Sequence, residues 1–225
     1  MSKKSNEVGE FFSNFSKDWD TLYGEKRNIF MRVIDYILRR DIYERYELTF
    51  KSLNDDIKGS SVLDIGCGNG IYSIDAIKKG AMKVTGIDVA HEMIEICNMS
   101  AKKENINDNL EFFVSNFPVS EEMSISIGSF DYSIVMGVMD YVYDPIPFLK
   151  QLRSMTNKKT CVTFPGGKVF RYNLRKYRYK LLGRVHVMGY KSNQEVYDLM
   201  KASGFTDIKI NYLNHSGGCY FVEAE

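Results

Sequence analysis

The sequence predicts an α/β fold in which helices cover both faces of a mostly parallel, seven-stranded sheet. Three observations carry this. Short apolar runs alternate with helical periodicity from residue 58 almost to the end. The first run, Ser61-Val62-Leu63-Asp64-Ile65, passes straight into a glycine turn, Gly66-Cys67-Gly68-Asn69-Gly70, and then into a helical pattern. The second, KVTGID from Lys83 to Asp88, follows that helix at once and ends in an acid. Strand, glycine turn, helix and strand are the parts of a βαβ unit.

Taken in order, residues 10–46 carry Phe11, Phe12, Phe15, Trp19, Leu22, Tyr23, Ile29, Phe30, Val33, Ile34, Ile37 and Leu38 at helical spacing. Two or three helices packed over the sheet would produce this pattern. A helix then runs on to the polar link NDDIKGS, so residues 1–57 are expected to form an N-terminal helical lid and residues 58–225 the core. From Ile71, Ile74 and Ile77 share a face, and Gly80 stands where a C-terminal cap belongs. Residues 89–103 place Met93, Ile94, Cys97 and Ala101 inward on an amphipathic helix. Residues 110–115 (LEFFVS), 130–136 (FDYSIVM) and 160–164 read as the third, fourth and fifth strands. Asp144-Pro145 is a helix N-cap with proline at the first helical position, ahead of Phe148, Leu149 and Leu152. Ser192-x-x-Glu195 opens another helix as a capping box, with Gly204 as its stop. Residues 205–213 and 218–222 close the chain as an antiparallel pair.

A chain of 225 residues is one domain, or one with an appendage. Its net charge of +1 gives no global attraction to nucleic acid or to a membrane surface. No apolar run approaches the roughly 20 residues of a spanning helix, and the N-terminus lacks the apolar core of a signal peptide. The four cysteines, Cys67, Cys97, Cys161 and Cys219, form no CxxC pair, and the three histidines are scattered, so no metal site is legible. The expected location is the cytoplasm.

The glycine turn carries the chemistry. Gly66, Gly68 and Gly70 allow positive φ and a close approach of the backbone to a ligand. Asp88 lies near the roughly 20-residue offset at which a carboxylate takes both hydroxyls of a ribose, offering two acceptors to two donors. The spacing is G-x-G-x-G, not the G-x-G-x-x-G of dinucleotide sites, and Ile71 holds the place of the third glycine. Asp64, two residues before the first glycine, would repel a pyrophosphate and suits a ligand with a cationic amino-acid end.

This segment closely resembles the glycine-rich motif of class I S-adenosylmethionine-dependent methyltransferases. The resemblance spans roughly residue 46 to the C-terminus, and it implies a Rossmann-like sheet with one antiparallel strand near an edge. It implies S-adenosyl-L-methionine as cofactor and S-adenosylhomocysteine as product. The cofactor residues it implies are Asp64, Gly66, Cys67, Gly68, Gly70, Asp88, Val89, Met93, Phe117 and Met136. Tyr23 and Arg45 would join them from the N-terminal helices, Arg45 at the cofactor carboxylate. Where many relatives have an acid that reads the adenine amino group, this chain has Asn116, whose carbonyl oxygen can still accept; a turn residue before Pro118 is the other reading.

Residues 165–190 are too long for an ordinary connection and are expected to be a lid insertion. Their middle, FRYNLRKYRYKLLGR, holds many cations and no acid. Such cations beside tyrosines can grip an anionic acceptor or stack on a ring, or they can form a solvated helix face. Candidate catalytic groups near the sheet edge are His186, Asp140 and Tyr141, with His186 inside the insertion. The (N/D)PP(Y/F) tetrad of N-adenine methylases is absent, since Met136-Gly137-Val138-Met139 stands there. WDTLYG, the aromatic N-terminal helices and the basic insertion are loosely similar to porphyrin carboxyl O-methyltransferases. They are equally similar to small methyltransferases of glycan and secondary-metabolite pathways, and TFPGGKVFR departs from the porphyrin enzymes' pattern. The expectation is methyl transfer to a small molecule, on oxygen of an anionic or aromatic acceptor. A nucleic-acid methyltransferase and a non-catalytic cofactor-binding partner stay open beside it.

Overall fold

In the computed structural model of the chain the described residues are 40–166, 188–214 and 218–225. Seven strands, β1 (Ser61–Ile65), β2 (Lys83–Asp88), β3 (Leu110–Val114), β4 (Phe130–Val135), β5 (Thr156–Pro165), β6 (Lys209–Leu213) and β7 (Cys219–Ala224), form one sheet in the order β3-β2-β1-β4-β5-β7-β6. Strands β1 to β5 pair in parallel, and β7 runs antiparallel to both of its neighbours, β5 and β6. The helices are α1 (Arg40–Leu53), α2 (Ile71–Lys78), α3 (His91–Lys103), α4 (Glu121–Ile127), α5 (Pro145–Ser154) and α6 (Asn193–Ala202). This is the Rossmann-like arrangement expected, with a single reversed strand.

Successive strand residues point to opposite faces of a sheet, so each strand feeds two cores. Leu63, Ile65, Val135 and Val162 pack with Phe148, Leu149 and Leu152 of α5 and Val196 and Met200 of α6. Val62, Ile134, Cys161 and Phe221 pack with Phe50 and Leu53 of α1 and Ile74 and Ala76 of α2. Burial on both faces is why the central strands read as continuous apolar runs.

Helix α1 is tied down along its length. Tyr46 Oη donates to Asp75 Oδ2 at 2.7 Å, and Ser52 Oγ donates to Glu223 Oε2 at 2.7 Å. Lys159 Nζ adds a bond of 3.0 Å to the Ser52 carbonyl. The C-terminal part of the expected lid is thus packed onto the sheet. Residues 1–39 and most of the insertion at 165–190 lie outside the described residues.

Several boundaries differ from the sequence expectation, each for a physical reason. Strand β5 begins at Thr156, four residues early, because the polar Asn157 and Lys158 are exposed while the backbone still pairs with β4 past a register shift. Strand β6 starts only at Lys209, because Asp207 at φ +40 breaks the ladder, and Thr206 pairs instead with the terminal residue Glu225. Helix α4 has no counterpart in the reading above; Ser120 caps it by accepting from the Met123 N–H. Asp144 is the N-cap residue of α5, but its side chain makes no capping bond. Ser192 does cap α6, and Glu195 reaches back to the N–H of Lys191 at 2.6 Å.

Candidate active site

In the order β3-β2-β1-β4-β5, chain direction across the sheet reverses between β1 and β4. Open α/β sheets bind ligands at that place, outside the carboxyl ends of the strands. A cavity of about 570 Å³ opens there. Its wall includes the glycine turn after β1, Asp88 and Val89 after β2, Asn116 and Phe117 after β3, and residues 136–138 and 141–144 after β4. Arg45 and Ile42 of α1 close one side.

The turn folds as its glycines require. Gly66, Gly68 and Gly70 have φ of +70, +55 and +79, a region that L side chains enter only with strain. A Cβ on Gly66 would stand 2.3 Å from Cγ2 of Val138, which packs over the turn from the β4 side. A Cβ on Gly86 of β2 would meet the Phe112 ring at 2.5 Å and Cys67 Sγ at 3.2 Å. Both glycines let neighbouring side chains pack directly against the backbone at the site.

Most N–H groups of the turn are spent on the protein. Gly66 and Cys67 donate to the Ile87 carbonyl at 2.7 and 3.1 Å, and Gly70 donates to the Cys67 carbonyl at 2.9 Å. Gly68 donates to Asp88 Oδ2 at 2.9 Å. A pyrophosphate would want those donors pointing at it. The dinucleotide reading therefore loses its anion cradle.

Asp88 is the organising acid of the cavity. One oxygen accepts from Gly68 and the other from the Ala90 N–H at 2.9 Å, which orients both oxygens at the end of β2. Each oxygen keeps acceptor capacity for a further donor. Burial raises its pKa, opposed by the bonds from Ala90, Gly68 and Val89.

Asp64 has a different place from the one the sequence suggested. It is 2% exposed, it is not on the cavity wall, and it accepts from Ser73 Oγ at 2.6 Å. The backbone N–H of Ser73 also bonds to it, so Asp64 caps the first turn of α2, whose own N-cap, Gly70, has no side chain to do so. Burial pushes its pKa up to about 7, with the Ser73 bonds pulling down and the charge of Asp88 pushing up.

Eleven of the sixteen expected site residues stand on the wall: Arg45, Gly66, Cys67, Gly68, Asp88, Val89, Met93, Asn116, Phe117, Met136 and Tyr141. Gly70 lies behind it, against Cys97 Sγ of α3. Asp140 is 8% exposed and is not on the wall, its carbonyl accepting from the Met188 N–H at 2.8 Å. Tyr23 and His186 lie outside the described residues. Arg45 is the single cation on the wall among the described residues.

The sequence reading missed Ile42, Ile71, Tyr72, Tyr143 and Asp144. A signal existed for Ile42, three residues before Arg45 and so on the same helix face. None existed for Ile71, an apolar residue 47% exposed at the mouth of the cavity. Among the described residues no group of three or more side chains could hold a metal ion, and no helix is long and apolar enough to cross a membrane.

A family model described as a methyltransferase domain matches residues 56–165. Over 136 residues the chain is 30% identical to the ubiquinone biosynthesis O-methyltransferase of Acinetobacter baumannii (strain ACICU), covering 59% of this chain and 53% of that one. The enzyme of the same name from Coxiella burnetii (strain Dugway 5J108-111) is 26% identical over 180 residues, covering 78% and 67%. The chain thus spans about half the length of the first of these relatives. Magnesium protoporphyrin IX methyltransferase from Synechocystis PCC 6803, crystallised with S-adenosylhomocysteine, superposes with a TM-score of 0.77 at 19% identity, covering 99% of each chain.

Proposed function

We propose that this chain, whose residues 56–165 match a family model described as a methyltransferase domain, transfers a methyl group from S-adenosylmethionine to a small molecule. The observation that carries the proposal is Asp88, on the cavity wall with its two oxygens fixed by Gly68 and Ala90. Such a carboxylate suits the two hydroxyls of a ribose. The glycine turn lines the cavity at Gly66 and Gly68, and Asn116 and Phe117 line it after β3, where the family resemblance assigns the adenine, so the residues present fit the cofactor.

When bound, the cofactor supplies a methyl on a sulfonium, and the displacement leaves a neutral thioether. The chain's share is to hold the acceptor atom in line and close, a term worth up to roughly 7–11 kcal/mol. Arg45 offers a cation for the cofactor carboxylate from the α1 side. Tyr141 is on the wall after β4 with Val138, Val142 and Tyr143, a stretch this reading assigns to the acceptor. A hydroxyl acceptor needs a base and an ionised carboxylate does not. Tyr141 and His186 remain the candidates for contact with the acceptor.

The finer reading is transfer to oxygen of an anionic or aromatic metabolite in the cytoplasm. The aromatic wall and the names of the curated relatives support it, and the cations of residues 168–184 would supply the counter-charge. Labelled methyl from S-adenosylmethionine, added to host extract separated into small molecules, nucleic acid and protein, tests it. Label in the small-molecule fraction is the expected result. Label in nucleic acid would replace the acceptor class, and no label anywhere would favour a non-catalytic partner.

A further inference from the structure

We propose that Tyr46 and Asp75 are a positioning pair that sets where Arg45 stands over the cavity. The inference rests on the reading that the cavity takes S-adenosylmethionine with Arg45 at its carboxylate. Tyr46 is on α1, immediately after Arg45; Asp75 is on α2, the helix that starts at the glycine turn. The hydrogen bond between them, Tyr46 Oη to Asp75 Oδ2 at 2.7 Å, spans 29 residues and joins the lid helix to the helix of the cofactor turn.

Neighbouring residues on a helix project about 100° apart, so fixing the direction of Tyr46 fixes that of Arg45. Arg45 Nη1 stands 3.6 Å from the position of a Cβ on Gly137, at the end of β4. Ring contacts limit any other rotation of α1. Tyr46 lies 4.8 Å from Phe50 edge-on and 5.7 Å from Tyr72, centroid to centroid, and Tyr72 is itself on the cavity wall. Further along α1, Thr49 Oγ1 bonds to the Arg45 carbonyl at 2.7 Å and lies 3.7 Å from Met136 Sδ, another wall residue. Desolvation and the Asp75 charge both raise the Tyr46 pKa, so the hydroxyl keeps the proton it donates.

A purely structural bond and a positioning bond make different predictions. Tyr46→Phe keeps every ring contact and removes only the donor. Asp75 is partly exposed and lies 4.0 Å from Lys78 Nζ, so water and Lys78 can satisfy it, and thermal stability should change little. Ring contacts alone are less directional than the lost bond, so the loss should appear in the placement of Arg45.

The test is a double-mutant cycle read by calorimetric binding of S-adenosylhomocysteine, with thermal unfolding and steady-state kinetics alongside. Tyr46→Phe is expected to weaken binding by about threefold to tenfold, towards the lower end of coupling within one network. It should raise KM for the methyl donor more than it lowers kcat. In an Arg45→Ala background Tyr46→Phe should have no further effect. Asp75→Ala should reproduce Tyr46→Phe, and Asp75→Asn, which can still accept, should restore affinity. Effects of Tyr46→Phe and Arg45→Ala that multiply independently, or unchanged affinity in Tyr46→Phe, would overturn the inference while leaving the cofactor reading intact. A wild-type protein that does not bind S-adenosylhomocysteine overturns both.

Discussion

Ser73 donates to Asp64 twice, from Oγ to Oδ2 at 2.6 Å and from its backbone N–H, and through the second bond a strand residue caps the helix after the glycine turn. The pair is buried, and the α2 N-terminus meets an acid of its own chain. Helix N-termini favour negative charge, so above about pH 7, where Asp64 is ionised, it supplies from inside what a phosphate would supply from outside.

The pH dependence of folding follows from this pair. Burial raises the Asp64 pKa to about 7, against about 3.9 in an unfolded chain. Between those values the folded state holds a proton that the unfolded state has released. This group's contribution to stability therefore falls as pH rises from about 4 to about 7 and is level above it, by at most about 1.4 kcal/mol per pH unit. Urea unfolding at pH 5 and pH 8 should show a larger loss for wild type than for Asp64→Asn. Equal slopes would mean that Asp64 is ionised throughout.

Ser73→Ala removes one of the donors that oppose that shift. It should destabilise the fold by about 1–3 kcal/mol, the range for leaving a buried acceptor short of a partner. It should also move the pH-dependent loss to higher pH, which unfolding at pH 7 and pH 8.5 would detect.

Asp88→Ala should weaken S-adenosylhomocysteine binding by about tenfold or more, since hydrogen bonds to a charged group are worth about 1.5–3 kcal/mol each. It also frees the Gly68 and Ala90 N–H groups, so some loss of stability will accompany it. Asp88→Asn keeps an acceptor and should fall between. Calorimetric affinity equal to wild type in Asp88→Ala would remove Asp88 from the site.

Gly66→Ala brings a Cβ to 2.3 Å from Cγ2 of Val138 and should abolish cofactor binding. Because the obstacle is a side chain, Val138→Ala should restore part of the affinity in the double variant. Recovery should stop short of wild type, since alanine at φ +70 keeps about 1–2 kcal/mol of backbone strain. No recovery at all would place the whole penalty in the backbone.

Acceptor binding by the basic stretch is a separate matter. Replacing Arg175, Lys176 and Arg178 by alanine should raise acceptor KM severalfold if these cations hold an anion, with kcat less affected. An unaltered KM would make the stretch a solvated face.

Much of this protein was legible in one dimension because its signals are local. Glycines that need positive φ, the apolar runs of strands buried on both faces, the acid at the end of β2 and the Ser192 cap are each set by their own few residues. Sheet order and the reversal of β7 depend on longer contacts, yet the order of elements together with the family resemblance already implied them. Tertiary structure decided what depends on direction. Asp64 and Asp88 are both acids flanking one glycine turn, but alternation along β1 turns Asp64 inward to Ser73, while Asp88 ends its strand at the cavity. Asp140 and Tyr141 are adjacent in sequence, and the turn after β4 puts only Tyr141 on the wall. The Tyr46–Asp75 bond joins residues that no pattern in the chain connects, because a helix face finds its partner only once the sheet beneath it exists.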